Sequence, residues 1–329
     1  MYKKLRLALL SLAVFLLGCV TSVFAQAEKG EIAEEEIEPI APPRLFVAPT
    51  AGVIRSLDIA LIGGGAFGAG EAEQSASSFL GGVAFGLADI AQLEIGTIGV
   101  TGAFRTGVIP KPAPGFKIKL LPEGRHWPGI AASVRVAPWT DEEKDTGRGK
   151  ETYSTRTSDF YVVASKTVTL QSEHVRSVSV HGGLEVLDAR LKSGVMERDK
   201  KMDPTVKDVK KSILAPFAGL EIWVTERGKT MIEVGRAPRF RFDRTGIGER
   251  YLDDDTVRED NDPIGEQNEE DIREAWIGTL GVRFFLTRYV AADVGVTYRS
   301  DFEGVSDTLI GTKLEISIPT HKIYEGIRQ

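Results

Sequence analysis

Apolar and polar residues alternate with a period of two along most of the chain beyond residue 45. In one run, Phe116, Ile118 and Leu120 alternate with Lys117 and Lys119. Such alternation places apolar side chains on one face of a β-strand and polar side chains on the other. The pattern predicts 12 strands, at residues 51–65, 78–87, 91–100, 114–121, 128–138, 158–168, 175–187, 211–224, 229–240, 274–286, 290–299 and 308–318.

The segments between these strands alternate strictly between short and long. Tight turns at one end and longer loops at the other are typical of outer-membrane barrels. We therefore predict an all-β fold, an antiparallel transmembrane β-barrel of about 12 strands with short periplasmic turns and long outer loops. A closed soluble barrel would show the same period of two. The short segments are 88–90, 122–127, 169–174, 225–228 and 287–289, and the long ones are 66–77, 101–113, 139–157, 188–210, 241–273 and 300–307.

A four-residue unit recurs after three of the tight turns. Each copy has an apolar, an acidic and a second apolar residue followed by glycine, which indicates a fold assembled from hairpins. The copies are Leu93-Glu94-Ile95-Gly96, Ile232-Glu233-Val234-Gly235 and Ala292-Asp293-Val294-Gly295.

The closing run Gly311-Thr312-Lys313-Leu314-Glu315-Ile316 is similar to the assembly signal of bacterial outer-membrane barrels, although Pro319 follows where a terminal aromatic residue is usual. Over residues 45–318 the chain resembles a bacterial outer-membrane β-barrel protein, and it has a weaker likeness to barrels associated with exopolysaccharide secretion. The resemblance implies that membrane lipid and the outer-membrane assembly machinery are partners. An anionic solute or polysaccharide-export proteins are further candidate partners.

The start of the chain has the features of an export signal. Residues 1–27 contain a basic start, an apolar core and small residues before the cleavage point, so we interpret them as a cleaved signal peptide. A lipoprotein box ending at Cys19 is the alternative. Residues 28–44 are an acidic, Pro-rich leader, and residues 319–329 are a C-terminal tail. Since Cys19 is the single cysteine, a disulfide within the chain is excluded.

If the apolar faces meet lipid, the polar faces line a lumen that carries both charge signs. One interpretation is a structural interior held by ion pairs. The other is a selective pore, in which Lys117, Lys119 and Arg135 favour anionic solutes. The lumen-lining candidates are Lys117, Lys119, Arg135, His181, Glu185, Glu221, Arg283, Asp293, Arg299, Lys313 and Glu315.

Aromatic residues fall near the ends of the predicted strands or on their outer faces. Rings that are apolar on one side and hydrated on the other form girdles at both membrane interfaces, whereas ordinary burial in a core is the alternative. The residues concerned are Trp127, Trp139, Trp223, Trp276, Tyr161 and Tyr298.

Other chemistry has weak support. The acidic segment 241–273 has oxygen ligands suited to Ca²⁺ but lacks the spacing of a calcium loop, so a solvated loop is favoured. Ser179 and His181 share a predicted face, yet the chain has no Gly-x-Ser-x-Gly elbow. The formal net charge of −6 and the dispersed basic residues argue against a nucleic-acid partner.

The function predicted from the sequence is that of a non-enzymatic outer-membrane barrel without a cofactor or a metal site. It would act as a narrow channel or as an accessory component of envelope or polysaccharide export. The alternative is a soluble or lipid-tethered periplasmic β protein that binds a ligand or partner. A barrel hydrolase using Ser179 and His181 is the third hypothesis.

Overall fold

The computed structural model describes residues 44–68, 78–96, 113–145, 149–170, 175–197, 207–241, 271–300 and 308–321. The predicted signal peptide, nearly all of the leader, most of the acidic segment and residues 322–329 lie outside these ranges. Among the residues described, no helix is long and apolar enough to cross a bilayer.

Within these ranges, 13 strands form one sheet. The first seven are β1 (Ile59–Gly68), β2 (Ser78–Leu87), β3 (Ala91–Gly96), β4 (Ala113–Leu121), β5 (Gly129–Val136), β6 (Thr140–Asp145) and β7 (Gly149–Thr169). The remainder are β8 (Ser177–Glu197), β9 (Lys207–Thr225), β10 (Gly228–Arg241), β11 (Asp271–Thr287), β12 (Val290–Arg299) and β13 (Leu309–Ile318).

Every strand pairs antiparallel with its neighbours, and the sheet closes on itself. β1 pairs with β13, and β5 pairs with β7. β6 continues the path of β5 after an interruption at Ala137–Trp139 and pairs with the far end of β7. The interruption contains Pro138, which has no N–H to donate to a ladder. The closed barrel therefore has 12 strands, which confirms the predicted fold class.

Burial alternates along the strands with the predicted phase. In β5, Ala131, Ser133 and Arg135 are buried, whereas Val134 and Val136 are exposed. Large apolar side chains cover the outward side of the wall over much of its height. Exposed outward residues from ten of the strands are Val83, Leu93, Ile95, Phe116, Val134, Phe160, Val162, Val180, Leu184, Val186, Leu214, Ile232, Val234, Val294, Ile310 and Leu314.

Two strand predictions differ from the structure. The first predicted strand, 51–65, begins only at Ile59, because residues 44–54 lie inside the barrel and residues 55–58 form a turn before the wall begins. The segments predicted as loops at 139–157 and 188–210 belong largely to β6, β7 and β8, which extend the ladder beyond the apolar region. The extensions of β6 and β7 are polar on both faces, and the extension of β8 has charged residues on its outward face, so the apolar-outward alternation on which the prediction depended is absent.

Candidate functional site: the barrel lumen

The predicted lumen residues lie on the inner face of the barrel wall. Glu185 is partly buried there, and Lys119 lies at the rim, where its Nζ donates to the Asp89 carbonyl in the β2–β3 turn (3.0 Å). The buried members of the set are Lys117, Arg135, His181, Glu221, Arg283, Asp293, Arg299, Lys313 and Glu315.

One ion network joins β3, β5, β7 and β8. The Arg135 guanidinium donates from Nε to Asp159 Oδ1 (2.9 Å) and lies 2.5 Å from Asp159 Oδ2 through Nη2. The same guanidinium is 3.5 Å from Glu185 and 3.9 Å from Glu94. Arg135 is therefore surrounded by three carboxylates of the wall.

A second network joins β11, β12 and β13. Arg283 binds Asp293 in a bidentate geometry. Its Nε donates to Oδ1 and its Nη2 donates to Oδ2, both at 2.8 Å. Lys313 lies 3.0 Å from Asp293 and 2.8 Å from Glu315. Two carboxylates and two cations thus alternate across three neighbouring strands, which satisfies charges that would be costly to bury alone.

A segment of the chain's own main chain occupies the lumen. We call residues 44–56 the lumen segment, which turns on itself through a Leu45 N–H to Ala48 O bond (2.8 Å) and an Arg44 to Pro49 bridge. Among the pairings described, none of its residues joins the ladder of the barrel wall, since wall pairing begins at Ile59. The lumen segment is therefore packed inside the barrel without being part of it.

Wall side chains from two non-neighbouring strands bind the main chain of the lumen segment. Glu233 of β10 accepts the N–H groups of Val47 (3.0 Å) and Ala48 (2.5 Å). Ser165 of β7 accepts the Ala51 N–H at 2.7 Å. These bonds cross the interior from non-neighbouring strands, so the segment bridges the lumen.

Cations of the wall bind carbonyl groups of the same segment. Lys117 donates to the Gly52 carbonyl (2.5 Å), and Lys313 donates to the Leu45 carbonyl. Gln92 Oε1 accepts the Ile54 N–H at 3.1 Å. Lys117 and Lys313, predicted to line the lumen, thus contact the lumen segment of the same chain.

Apolar packing adds to these bonds. Leu45, Phe46, Ala48 and Ala51 form a buried cluster with inward side chains of the wall. Gly219 of β9 leaves the space that Leu45 fills, because a Cβ at position 219 would lie 2.1 Å from Leu45 Cδ1. The wall is therefore shaped to fit the lumen segment. The wall members of the cluster are Ala131, Tyr161, Val163, Phe217 and Met231.

The C-terminal end of the lumen segment is fastened to the β2–β3 turn. Ala88 and Asp89 both have positive φ (51° and 59°), as the two central residues of a type I′ hairpin turn require. Ser56 completes the turn, since its N–H donates to Asp89 Oδ1 (2.6 Å) and its Oγ accepts the Ala88 N–H (3.1 Å). The C-terminal end of the lumen segment is thus fixed at the short-turn end of the barrel.

A second apolar cluster narrows the interior at the long-loop end. The members from β8 and β9 are neighbours along the wall, and the members from β4 and β11 meet them across the lumen. The cluster consists of Ala113 of β4, Ala137, Leu187 and Ala189 of β8, Ile213 and Ala215 of β9, and Ile272 of β11.

Ser179 and His181, the pair considered for the hydrolase hypothesis, are not bonded to each other among the contacts that the structure describes. His181 Nδ1 is instead 2.7 Å from Ser165 Oγ, and Ser179 contacts Thr167 (3.0 Å). His181 Nε2 is 4.0 Å from Glu221, which is beyond hydrogen-bonding distance. Because Ser165 also accepts the Ala51 N–H, this polar chain holds the lumen segment to the wall.

The aromatic residues divide between the two faces. Trp127 is 67% exposed beside a short turn and Trp276 is 45% exposed on the outer face, as a girdle requires. The girdle prediction is wrong for two residues. Tyr161 is fully buried in the lumen cluster, and Trp223 stacks on the inward Phe285 at 5.6 Å between ring centroids.

Six wall residues of the site were not predicted, namely the polar Gln92 and Ser165 and the charged Glu94, Asp159, Lys229 and Glu233. Lys229 pairs with Glu221 at 3.1 Å. Glu94 and Glu233 are the acidic residues of the repeated four-residue unit, and both contact the lumen segment, Glu94 through Arg44 at 3.5 Å. The repeat was the available signal, because its acidic residue faces inward in all three copies.

An apolar exterior around a charged interior in a closed antiparallel barrel defines a transmembrane β-barrel. In a bilayer every backbone polar group must be paired internally, and closure of β1 on β13 and of β5 on β7 meets that requirement. The chain has the architecture of a bacterial outer-membrane β-barrel.

No family model and no curated protein matches the chain. Among solved structures it is similar to the translocator domain of autotransporter NalP from Neisseria meningitidis, at 10% identity and a TM-score of 0.39, covering 79% of this chain and 85% of that one. For the NanC porin the values are 8%, 0.37, 79% and 98%. For the P. putida toluene transporter TodX they are 9%, 0.31, 79% and 86%. The class therefore rests on the barrel itself, and no substrate transfers from these proteins.

Proposed function

We propose that this protein is a gated, narrow channel of the outer membrane, closed in this conformation by its own lumen segment. The observation that carries the proposal is the position of residues 44–56, which fill a charged lumen without pairing with its wall. A purely structural interior needs only side chains from the wall. Here a separate stretch of main chain closes the passage.

The bonds that hold the lumen segment are of a kind that water can replace. Glu233, Ser165 and Lys117 bind its N–H and C=O groups, and each would be hydrated after the segment left. The ladder of the barrel would stay intact. The apolar cluster around Ile272 would then be the remaining constriction, of the type that gates by excluding water.

Movement of the segment would also change the charge of the passage. It would release Lys117 from the Gly52 carbonyl, next to Arg135 on the neighbouring strand, and this supports the proposed preference for small anionic solutes. Arg135 keeps its carboxylate partners in either state, so we expect the preference to be weak.

A second candidate is a non-conducting accessory component of envelope or polysaccharide export. The ion pairs of Arg283, Asp293 and Lys313 and the cluster around Ile272 favour it, because both are contacts between side chains of the barrel itself. The soluble periplasmic alternative is disfavoured, since it would leave outward side chains such as Leu184 and Leu214 in water.

Single-channel recording in planar bilayers tests the channel. We expect the wild type to be mostly closed, and Gly219→Val to conduct more often because the added methyl groups displace Leu45. Gly96→Val is the matched control, as a Cβ there meets only the backbone of β2 at 3.4 Å. Silence of the wild type and both variants would contradict the channel and support the accessory role.

A further inference from the structure

Three cationic residues lie side by side on the outer surface of the barrel, toward its long-loop end. Arg156 of β7 is the register partner of Arg190 in β8, and Arg190 is the register partner of Lys210 in β9. All three occupy outward-facing positions, and the side chains of Arg190 and Lys210 are exposed. We call these residues the basic row.

The basic row lies just beyond the apolar exterior. Four residues closer to the short turns, the outward positions of the same strands hold Phe160, Val186 and Leu214, all exposed. Outward positions of β8 stay uncharged from 178 to 186, which matches the roughly 9–11 residues that span a bilayer. At about 3.3 Å per residue and a tilt near 45°, the basic row stands about 9 Å above Phe160, at the level of lipid headgroups.

The positive charge of the basic row is only partly compensated. Like charges directly opposite on neighbouring strands repel. Lys210 lies 3.6 Å from Asp208, but no carboxylate among the described side chains pairs with Arg156 or Arg190. Asp188, between the basic row and the apolar residues, accepts a hydrogen bond from Ser212. An external anion would therefore stabilise the row.

The surroundings of the row are those of a membrane interface. Lys192 follows Arg190 by two residues on the same face, and its Nζ is 4.7 Å from the centroid of the Trp139 ring. Tryptophan rings concentrate at the level of the headgroups. Lys192 and the Trp139 ring therefore extend the basic row on the outer surface of the barrel rather than toward the lumen.

We propose that the basic row binds the phosphate groups of a phosphorylated, acylated lipid in the leaflet on the long-loop side. Guanidinium groups match phosphate oxygens in a two-pronged geometry. The acyl chains of the same lipid would lie along Phe160, Val186 and Leu214 directly below, which is why a lipid fits better than a free anion. The leaflet assignment rests on the proposed outer-membrane location.

Native mass spectrometry of the full mature chain in detergent micelles tests this site. The probes are bisphosphorylated lipid A, the same lipid without phosphates, and sodium phosphate as a competitor. The test variant combines Arg156→Gln, Arg190→Gln and Lys210→Gln. The matched control combines Lys166→Gln and Arg176→Gln, which remove cations paired with Glu123 and Glu226 at the short-turn end.

We expect the wild type and the control to retain bisphosphorylated lipid A, and the triple variant to bind it at least about tenfold more weakly. Arg190→Gln alone should give a smaller loss, which covers the case in which the triple variant fails to fold. The proposal would be overturned if the triple variant bound bisphosphorylated lipid A as tightly as the wild type does. It would also be overturned if the wild type bound the lipid without phosphates equally well. Full competition by sodium phosphate would also overturn it, in favour of a free-anion site. None of these readouts depends on conductance.

Discussion

At the scale of single residues, the charges inside the barrel are organised as closed groups of opposite sign. Arg283 and Asp293 are almost completely buried, and each has a second charged partner in Glu315 or Lys313. Deleting one member of such a group leaves the other buried and unpaired. The networks therefore stabilise the barrel whether or not it conducts.

Replacement of Arg283 tests this role. We expect Arg283→Met to lower the stability of the barrel by about 3–5 kcal/mol, because Asp293 loses its two-pronged partner. The measurement is the urea midpoint for unfolding from detergent micelles. Arg176→Met is the control, since the exposed Arg176–Glu226 pair is worth about 1 kcal/mol or less. Equal midpoints for the two variants would show that the network is not stabilising.

At the scale of elements, the lumen segment is the part of the fold that the sequence pattern misassigns. Val53 and Ile54 continue the apolar texture of β1, so the prediction placed them in a strand beginning at residue 51. In the structure they are buried inside the barrel, before the turn contacts of Ser56. Apolar residues lining a lumen and apolar residues facing lipid give the same local pattern.

A disulfide between the lumen segment and the wall tests whether the segment moves. A Cβ at position 129 would lie 3.6 Å from the Ala51 Cβ, which is within the range for a disulfide. We expect the variant Ala51→Cys/Gly129→Cys to stay closed when oxidised and to recover openings in planar bilayers after reduction. The two single variants are the controls. Unchanged openings in the oxidised double variant would show that conduction does not need the segment to leave.

At the scale of the whole molecule, closure of the sheet and the apolar exterior predict how the protein migrates in SDS gels and in which cell fraction it is recovered. A closed barrel unfolds only by breaking its ladder, so unboiled samples should keep their structure in SDS and migrate differently from boiled ones. We expect the expressed protein to be recovered in the outer-membrane fraction with this heat-dependent shift. Recovery in the periplasmic fraction without a shift would contradict the membrane location.

The sequence by itself determined the strand number, which residues share each face of a strand, and the placement of the tight turns. These features depend on residues close together in the chain, as in the alternation of Phe116, Ile118 and Leu120 with Lys117 and Lys119. The inward position of Arg135, Arg283 and Lys313 followed from the same alternation, because a strand has only two faces.

Only the tertiary structure decided what the inward residues contact. Lys117 and Gly52 are 65 residues apart in sequence, and Val47 and Glu233 are 186 apart. These contacts depend on the closure of β5 on β7 and on the path of residues 44–56 through the barrel. A period of two records which face is polar, but it carries no information about whether water, another wall residue or the chain itself lies opposite that face.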